Sequence, residues 1–301
     1  MKREFVLVAA ALLAAFAASA HAALSVFATV PEWGALAQEL GGDKVKVYTA
    51  TTALQDPHHV EARPSLIARA RGADLVVATG AELEIGWLPL VLQQAGNPRV
   101  QPGMPGYFEA APTLALLGKP QRLDRAEGDV HPMGDPHVQT DPRNIARVAE
   151  ALAARMAQLD APNAAHYRDR LKAFLDRWGA ALARWQQQAA PLKGAPIVVQ
   201  HRAFTYLVAW LGMREIAALE PRPGIEPTTA HLSEVLALLG REPAKMVLRA
   251  AYQNDQASQW LAQRAKINVV TLPFTVGGTD GAKDLFGLFD DTIRRLLEGN
   301  R

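Results

Sequence analysis

The chain has 301 residues, 49% of them hydrophobic, with 32 basic and 30 acidic side chains and a formal charge of +2. That length suits two ordinary domains, and the composition is that of a globular protein rather than a disordered or fibrous one. So balanced a charge gives no case for a nucleic-acid or anionic-membrane partner. With no cysteine at all, disulfides, thiolate ligands and an N-terminal lipidated cysteine are all excluded.

In chain order, MKREFVLVAAALLAAFAASAHA (1–22) has the anatomy of a secretory signal. Lys2 and Arg3 form its basic start, Phe5 to Phe16 its apolar core, and Ala20-His21-Ala22 the small-residue cleavage pattern. The apolar run is short for a membrane span, and no other stretch is apolar enough to cross a bilayer. Cleavage after Ala22 predicts a soluble, unlipidated product in the periplasm. The segments 24–30 and 44–50 read as strands around a helix at 31–40. ADLVVATG (73–80) is a near-continuous apolar run, as expected for a buried parallel strand. A helix over 84–95 leads to a short strand near Val100, then a long Pro-, Gly- and Asp-rich connection over 102–140. Connections of that length are usually functional or mobile.

Asp141-Pro142 opens a helix to about residue 158 with an Asp cap and a proline in the first turn. A longer amphipathic helix follows over 162–190, whose Tyr167, Leu171, Phe174, Leu175, Trp178 and Leu182 form a core-packing stripe. Its length predicts a spine joining two lobes. The second alternating series begins with APIVVQ (195–200), and continues with strands at 214–219, 245–250 and 267–272. Helices fall at 203–211, 228–239, 255–265 and 280–298. The expected fold is therefore α/β: residues 23–160 form one lobe, 161–190 a linking helix and 191–301 a second lobe. Each lobe should carry a mostly parallel sheet flanked by helices.

Of the eight histidines, His21 falls in the signal, and His166 and His231 read as solvated positions on helices. His58, His59, His131, His137 and His201 lie in loops that follow strands, where open α/β sheets bind their ligands. His137 sits just before the capped helix at Asp141, and His201 directly after APIVVQ. Three imidazoles with a carboxylate suit a tetrahedral divalent site, zinc above all. The histidines are far apart, however, and their spacing has no zinc-finger signature. A convergent metal cluster and separate structural histidines both fit the pattern.

Several segments resemble the cluster A-I metal receptors of bacterial ABC importers, which serve zinc and manganese uptake. DPHHVEARPS (56–65) is similar to that family's DPHxYExxPS, and ADLVVATGAELEIGWL (73–88) to the strand and helix that follow it. DPHVQTDPRN (135–144) is similar to NPHxWLDPxN, and QHRAFTYLVAWLGM (200–213) to HDAFxYxxxxYGL. The likeness runs in order along nearly the whole mature chain.

It implies metal ligation by His58, His137 and His201. His58 takes the role over His59 because it directly follows Asp-Pro, six positions before Pro64. Manganese receptors of the family tend to carry a carboxylate where His201 stands, so zinc is favoured over manganese. The fourth ligand, usually a carboxylate after the last strand, falls in LPFTVGGTDGAKDLFGLFD (272–290), which resembles the Azt-type zinc subgroup. Asp280 is its first candidate and Asp284 its second. The alternative reading of Asp280 is the N-cap of the final helix. His59 and His131 are auxiliary candidates, His131 belonging to an acidic loop with Asp124, Glu127 and Asp129. Glu61 is expected to orient His58.

The implied function is a periplasmic solute-binding protein, not an enzyme, that captures Zn2+ in an interdomain cleft as a monomer. It would deliver the ion to a cognate inner-membrane ABC permease, with a periplasmic zinc chaperone as a further partner. The alternatives are a manganese receptor of the same build and a secreted zinc hydrolase. Against the hydrolase, no HExxH or comparable signature occurs.

Overall fold

The computed structural model describes residues 22–120 and 131–301. The expected signal before Ala22 and the acidic residues Asp124, Glu127 and Asp129 lie outside the described residues. Two four-stranded parallel sheets form the framework. The first is built from β1 (Leu24–Ala28), β2 (Val45–Thr49), β3 (Leu75–Ala78) and β4 (Tyr107–Glu109) in the order β2-β1-β3-β4. The second runs β6-β5-β7-β8, from β5 (Pro196–Val199), β6 (Arg214–Ala218), β7 (Met246–Ala250) and β8 (Asn268–Leu272). The two orders are equivalent, so the halves share an architecture without sharing a sequence. β3 and β5 are the apolar runs noted above, buried on both faces as parallel strands covered by helices must be.

Helices α1 (Pro31–Gly41), α2 (Pro64–Arg71) and α3 (Leu88–Ala95) serve the first sheet. Those of the second half are α6 (Thr205–Leu211), α7 (Thr229–Leu239), α8 (Gln256–Ala265) and α9 (Leu285–Gly299). Between the halves lie α4 (Pro142–Leu159) and the long α5 (Ala164–Gln188). α4 opens as expected, the Asp141 side chain accepting from Arg143 N–H with proline at the first helical turn. α5 touches both halves through the aromatic residues of its stripe. Trp178 Nε1–H donates to Pro142 O at 2.8 Å, and Trp185 Nε1–H donates to Asp290 Oδ1 of α9 at 2.6 Å. Trp178 also stands against Phe286 and Phe289 of α9, at ring-centre separations of 4.9 and 5.6 Å. At its start, Arg170 Nε–H donates to Glu39 O of α1 at 2.8 Å. Trp178 and Trp185 are 1% and 0% exposed, so both rings pack in the core, where aromatic burial is worth most.

A second tie between the halves is polar and fully buried. Thr275, after β8, donates its hydroxyl to the Glu32 carboxylate at the start of α1. Burial pushes the Glu32 carboxyl up to about 7 despite the Thr275 hydrogen bond, with Glu84 adding like-charge repulsion.

Three local expectations are corrected. The segment near Val100 is a 3-10 turn (Pro98–Val100), because Asn97 Oδ1 accepts from Arg99 N–H and closes it; the strand lies later, at β4. The last helix begins at Leu285, with Asp284 rather than Asp280 as its cap. His166 and His231 are half-buried, and their Nε2 atoms lie 2.8 Å from Gly41 O and 3.1 Å from Ala218 O, so they brace backbone rather than sit in solvent. Among the described residues no helix is long and apolar enough to cross a membrane.

Candidate metal centre

The loops that follow the strands of both sheets bring four histidines together. His58, His137 and His201 are buried, at 8%, 2% and 7% exposure. Their ring centres lie 5.4 Å (His58–His137), 5.5 Å (His137–His201) and 6.2 Å (His58–His201) apart. An imidazole bound through one nitrogen at about 2.0–2.1 Å has its ring centre roughly 3.2 Å from the ion, so rings at tetrahedral corners stand roughly 5.2 Å apart. Two of the three separations are within a few tenths of that value. The pair that joins Pro57-His58 to the second half is wider, and no group of three or more His, Asp or Glu side chains among the described residues is already spaced to hold an ion. The three rings approach tetrahedral spacing around His137 and stand further apart between His58 and His201.

The ring orientations have a common cause. In Asp56-Pro57-His58, Asp56 Oδ1 accepts the His58 backbone N–H at 3.0 Å and lies 2.8 Å from its Nδ1. Asp135-Pro136-His137 repeats the device at 2.8 and 2.7 Å. A carboxylate can only accept, so each ring carries its proton on Nδ1 and presents the Nε2 lone pair on its other side. Both Nε2 atoms are buried and lack any hydrogen-bond partner. Such orphaned acceptors are costly. Here they are what a cation would satisfy, and the carboxylate behind each ring is the usual partner of a metal-bound histidine. His201 is oriented from further away. Leu219 N–H donates to Val199 O and Glu220 N–H to Gln200 O, extending the β5–β6 ladder. That pairing sets Glu220 Oε2 2.7 Å from His201 Nδ1.

Protonation differs around the cluster. Burial lowers the His137 pKa, and the Asp135 charge only partly offsets it. Burial also opposes charge on His201, but the hydrogen bond and charge of Glu220 outweigh it and raise that pKa. Asp56 is held down at about 2: burial works the other way, and the His58 hydrogen bond and charge overcome it. Asp135 is lowered against its own burial by His137.

The loop frames are pinned in turn. Trp87 Nε1–H donates to Pro57 O at 3.0 Å, and Gly86 packs so close that a Cβ there would lie 3.2 Å from His58 O. Ala81 and Glu82, in the turn before Trp87, hold left-handed backbone at φ 50° and 67°, a strain characteristic of functional loops. Glu84 fastens that turn by accepting from Thr79 N–H at 2.7 Å and Gly80 N–H at 3.1 Å. Across the cleft, Tyr206 of α6 donates its hydroxyl to Asp135 O at 2.7 Å, and Phe274 stands 5.5 Å from the His137 ring.

Of the other candidates, His131 joins the group, 5.4 Å from His58 and 6.4 Å from His137 between ring centres. The exposed His59 has its ring centre 6.3 Å from that of His58. Asp280 is exposed in the turn before α9, and Asp284 Oδ1 is engaged in capping, accepting from Gly287 N–H at 2.7 Å. Glu61 is exposed and Asp56 takes the orienting role expected of it. Sequence reasoning missed Asp56, Asp135 and Glu220. The first two had a signal, the Asp-Pro-His tripeptide occurring twice; Glu220 had none.

Cavities of about 340 and about 240 Å³ flank the cluster, the first lined by His131, His137 and His201, the second by His58, His201 and Glu220. The histidines thus form a wall between two solvent-reaching clefts.

A family model described as zinc-uptake complex component A, periplasmic (ZnuA), matches residues 26–299. The high-affinity zinc uptake system protein ZnuA of Paracoccus denitrificans is 24% identical over 332 residues, covering 98% of this chain and 97% of that one. The zinc-binding lipoprotein AdcA of Streptococcus pneumoniae is 25% identical over 237 residues, 75% of this chain but 44% of AdcA, so the chain spans under half that relative's length. The manganese ABC transporter substrate-binding lipoprotein PsaA of the same organism is 20% identical, over 92% of this chain and 89% of that one. A crystal structure of ZnuA shares the fold with a TM-score of 0.78 at 22% identity, covering 93% of this chain and 100% of that one. With the family model spanning nearly its whole length, this chain belongs to the ZnuA family of periplasmic zinc-uptake components.

Proposed function

We propose that the protein is a periplasmic receptor that captures Zn2+ between its two halves and delivers it to the membrane permease of an ABC importer. The observation that carries this is the pair of buried, partnerless Nε2 atoms on His58 and His137, converging with His201 and each backed by a carboxylate. Imidazole from all three loops suits a borderline ion such as zinc better than manganese, which prefers oxygen donors. A zinc hydrolase fits less well. The carboxylates nearest the histidines are already engaged with ring Nδ1 atoms, which leaves none of them placed as a general base. A periplasmic zinc chaperone is a further candidate partner. α5, fixed by Trp178 and Trp185 to both halves, favours release by loop shifts over wide hinge opening.

The test is metal analysis of the purified protein beside His137→Ala. One zinc per wild-type chain, lost in the variant, is the expected outcome. A variant that stays fully loaded would rule out this loop as part of the site.

A further inference from the structure

We propose that zinc enters by the smaller of the two clefts, where Gln200, Glu226 and Asp56 first hold it as a hydrated ion, with water between the metal and each oxygen. This rests on the zinc-receptor reading above and adds to it the path by which the ion arrives. The cleft, of about 240 Å³, is lined by acceptors. Asp56, Glu220 and Glu226 bring three carboxylates, and no lysine or arginine stands among the described residues that line it. The larger cleft differs in both respects. Arg202 stands in its wall, and its two carboxylates are engaged, Glu215 with Arg202 at 2.9 Å and Asp135 with His137 at 2.7 Å. A divalent ion approaching through water meets an attractive field on one side of the histidine wall and a compensated one on the other.

The second feature, independent of charge, is Gln200. It is only 6% exposed, and both of its backbone groups are paired in the sheet. Its N–H donates to Leu248 O at 2.8 Å, and its carbonyl accepts from Glu220 N–H at 2.9 Å. The side-chain Nε2–H donates to Asn254 O at 2.6 Å. A carbonyl can only accept, so the amide orientation is fixed, and Oε1 is left buried with no hydrogen-bond partner. An acceptor in that position is costly to leave unpaired. It belongs to a side chain that lines the smaller cleft, one residue before His201.

Glu226 is presented by the loop that follows β6. Gly224, at φ 75°, donates its N–H to Glu220 Oε2 at 2.8 Å, and this returns the loop to the cleft that Gly224 and Glu226 both line. Asp56 holds His58 through Oδ1 and still keeps 39% of its side chain exposed. No group of three or more His, Asp or Glu side chains among the described residues is spaced to grip a bare ion. These oxygens suit a hydrated one. Waters on a divalent cation are polarised donors, and carboxylate and amide oxygens accept from them in charge-assisted hydrogen bonds. The cleft has room for several such waters. From there the ion exchanges water for imidazole at His58 and His201, which line the same cleft.

The experiment compares wild type with Glu226→Gln, Glu226→Lys, Gln200→Met and Glu215→Gln. Zn2+ alone is mixed by stopped flow with protein and a fluorescent zinc indicator, whose competition gives the protein's association rate. At low salt Glu226→Gln should slow association about threefold or more, and Glu226→Lys further, as one charge's share of electrostatic steering. Both differences should shrink at about 1 M salt, where charges are screened beyond about 3 Å. Gln200→Met, which keeps the bulk and removes the acceptor, should also slow association, with unaltered circular dichroism and thermal unfolding of the metal-free protein. Glu215→Gln, in the other cleft, should leave the rate unchanged. Co2+ added alone to the two Glu226 variants should give the wild-type visible spectrum. Wild-type rates at low salt in Glu226→Lys or in Gln200→Met would overturn the proposal. So would an equal slowing in Glu215→Gln, or a changed Co2+ spectrum in either Glu226 variant. A wild type that takes up no zinc would overturn the receptor reading itself.

Discussion

The two halves present their histidines by different physics. In the first half, one tripeptide does everything: the Asp of Asp-Pro-His accepts both the backbone and the ring N–H of the histidine two residues on, twice over. In the second half, His201 depends on Glu220, nineteen residues away and brought beside it by the β5–β6 ladder. The difference extends to protonation, since burial holds His137 down while Glu220 holds His201 up. Where burial outweighs the bracing carboxylate, as at His137, the ring is neutral and metal-ready. Where the carboxylate outweighs burial, as at His201, the ring must shed a proton when zinc arrives.

The most severe way to break this comparison is to remove a local brace. Asp135→Ala deletes the partner of both the His137 backbone N–H and its ring. Zinc affinity should fall about 10–100-fold, measured by chelator competition at pH 7.5. An unchanged affinity would mean that packing against Phe274 alone orients the ring.

A smaller effect is expected from the distant brace. With His201 raised above its ordinary value, zinc must displace a proton from it at and below neutrality. Affinity in the wild type should therefore rise with pH through the His201 titration and flatten above it, with a slope approaching about one decade per pH unit. Glu220→Gln removes the main opposition to burial, leaving only the charges of Asp135 and Asp56, so it lowers the His201 pKa and moves the onset of weakening to lower pH. Calorimetry in buffers of different ionisation enthalpy should show fewer protons released per zinc near pH 6.5 in this variant. Equal proton release in both proteins would contradict the assignment of that proton to His201.

The smallest expected effect lies at the buried tie between the halves. The Glu32 carboxyl is raised to about 7, so the stability it contributes is fully present below the ordinary carboxylate range and is lost as pH rises through about 7. Glu32→Gln removes that loss. The variant should gain thermal stability over wild type at pH 8 and show a smaller difference at pH 5. The same gain at both pH values would mean that the carboxyl does not titrate in that interval.

Much of this was legible in the sequence, for reasons that vary by element. β3 and β5 announce themselves as apolar runs because both faces of a parallel strand are buried. β4, only Tyr107–Glu109, is too short for any periodicity, and its register is supplied by β3, Val76 pairing with Tyr107. Two aspartates in one glycine-rich turn, Asp280 and Asp284, were equally good caps by chemistry. The choice fell to the turn itself, which Gly277 N–H closes by donating to Ala282 O at 2.6 Å and which delays the helix to Leu285. At the site, His58 and His137 carried their own signal in Asp-Pro-His, and His201 stood at the end of an unmistakable strand. The position of His131 depends on the left-handed backbone of Gly134, and that of Glu220 on strand pairing. Both are tertiary facts with no local pattern.

The claim on which the rest depends is that histidines from both halves hold one zinc ion. Zinc K-edge X-ray absorption of the loaded protein tests it most directly. The account predicts a four-coordinate shell at about 2.0 Å, dominated by nitrogen and accompanied by the outer-shell scattering of at least three imidazoles. A six-coordinate, oxygen-rich shell, or one with a single imidazole, would contradict it.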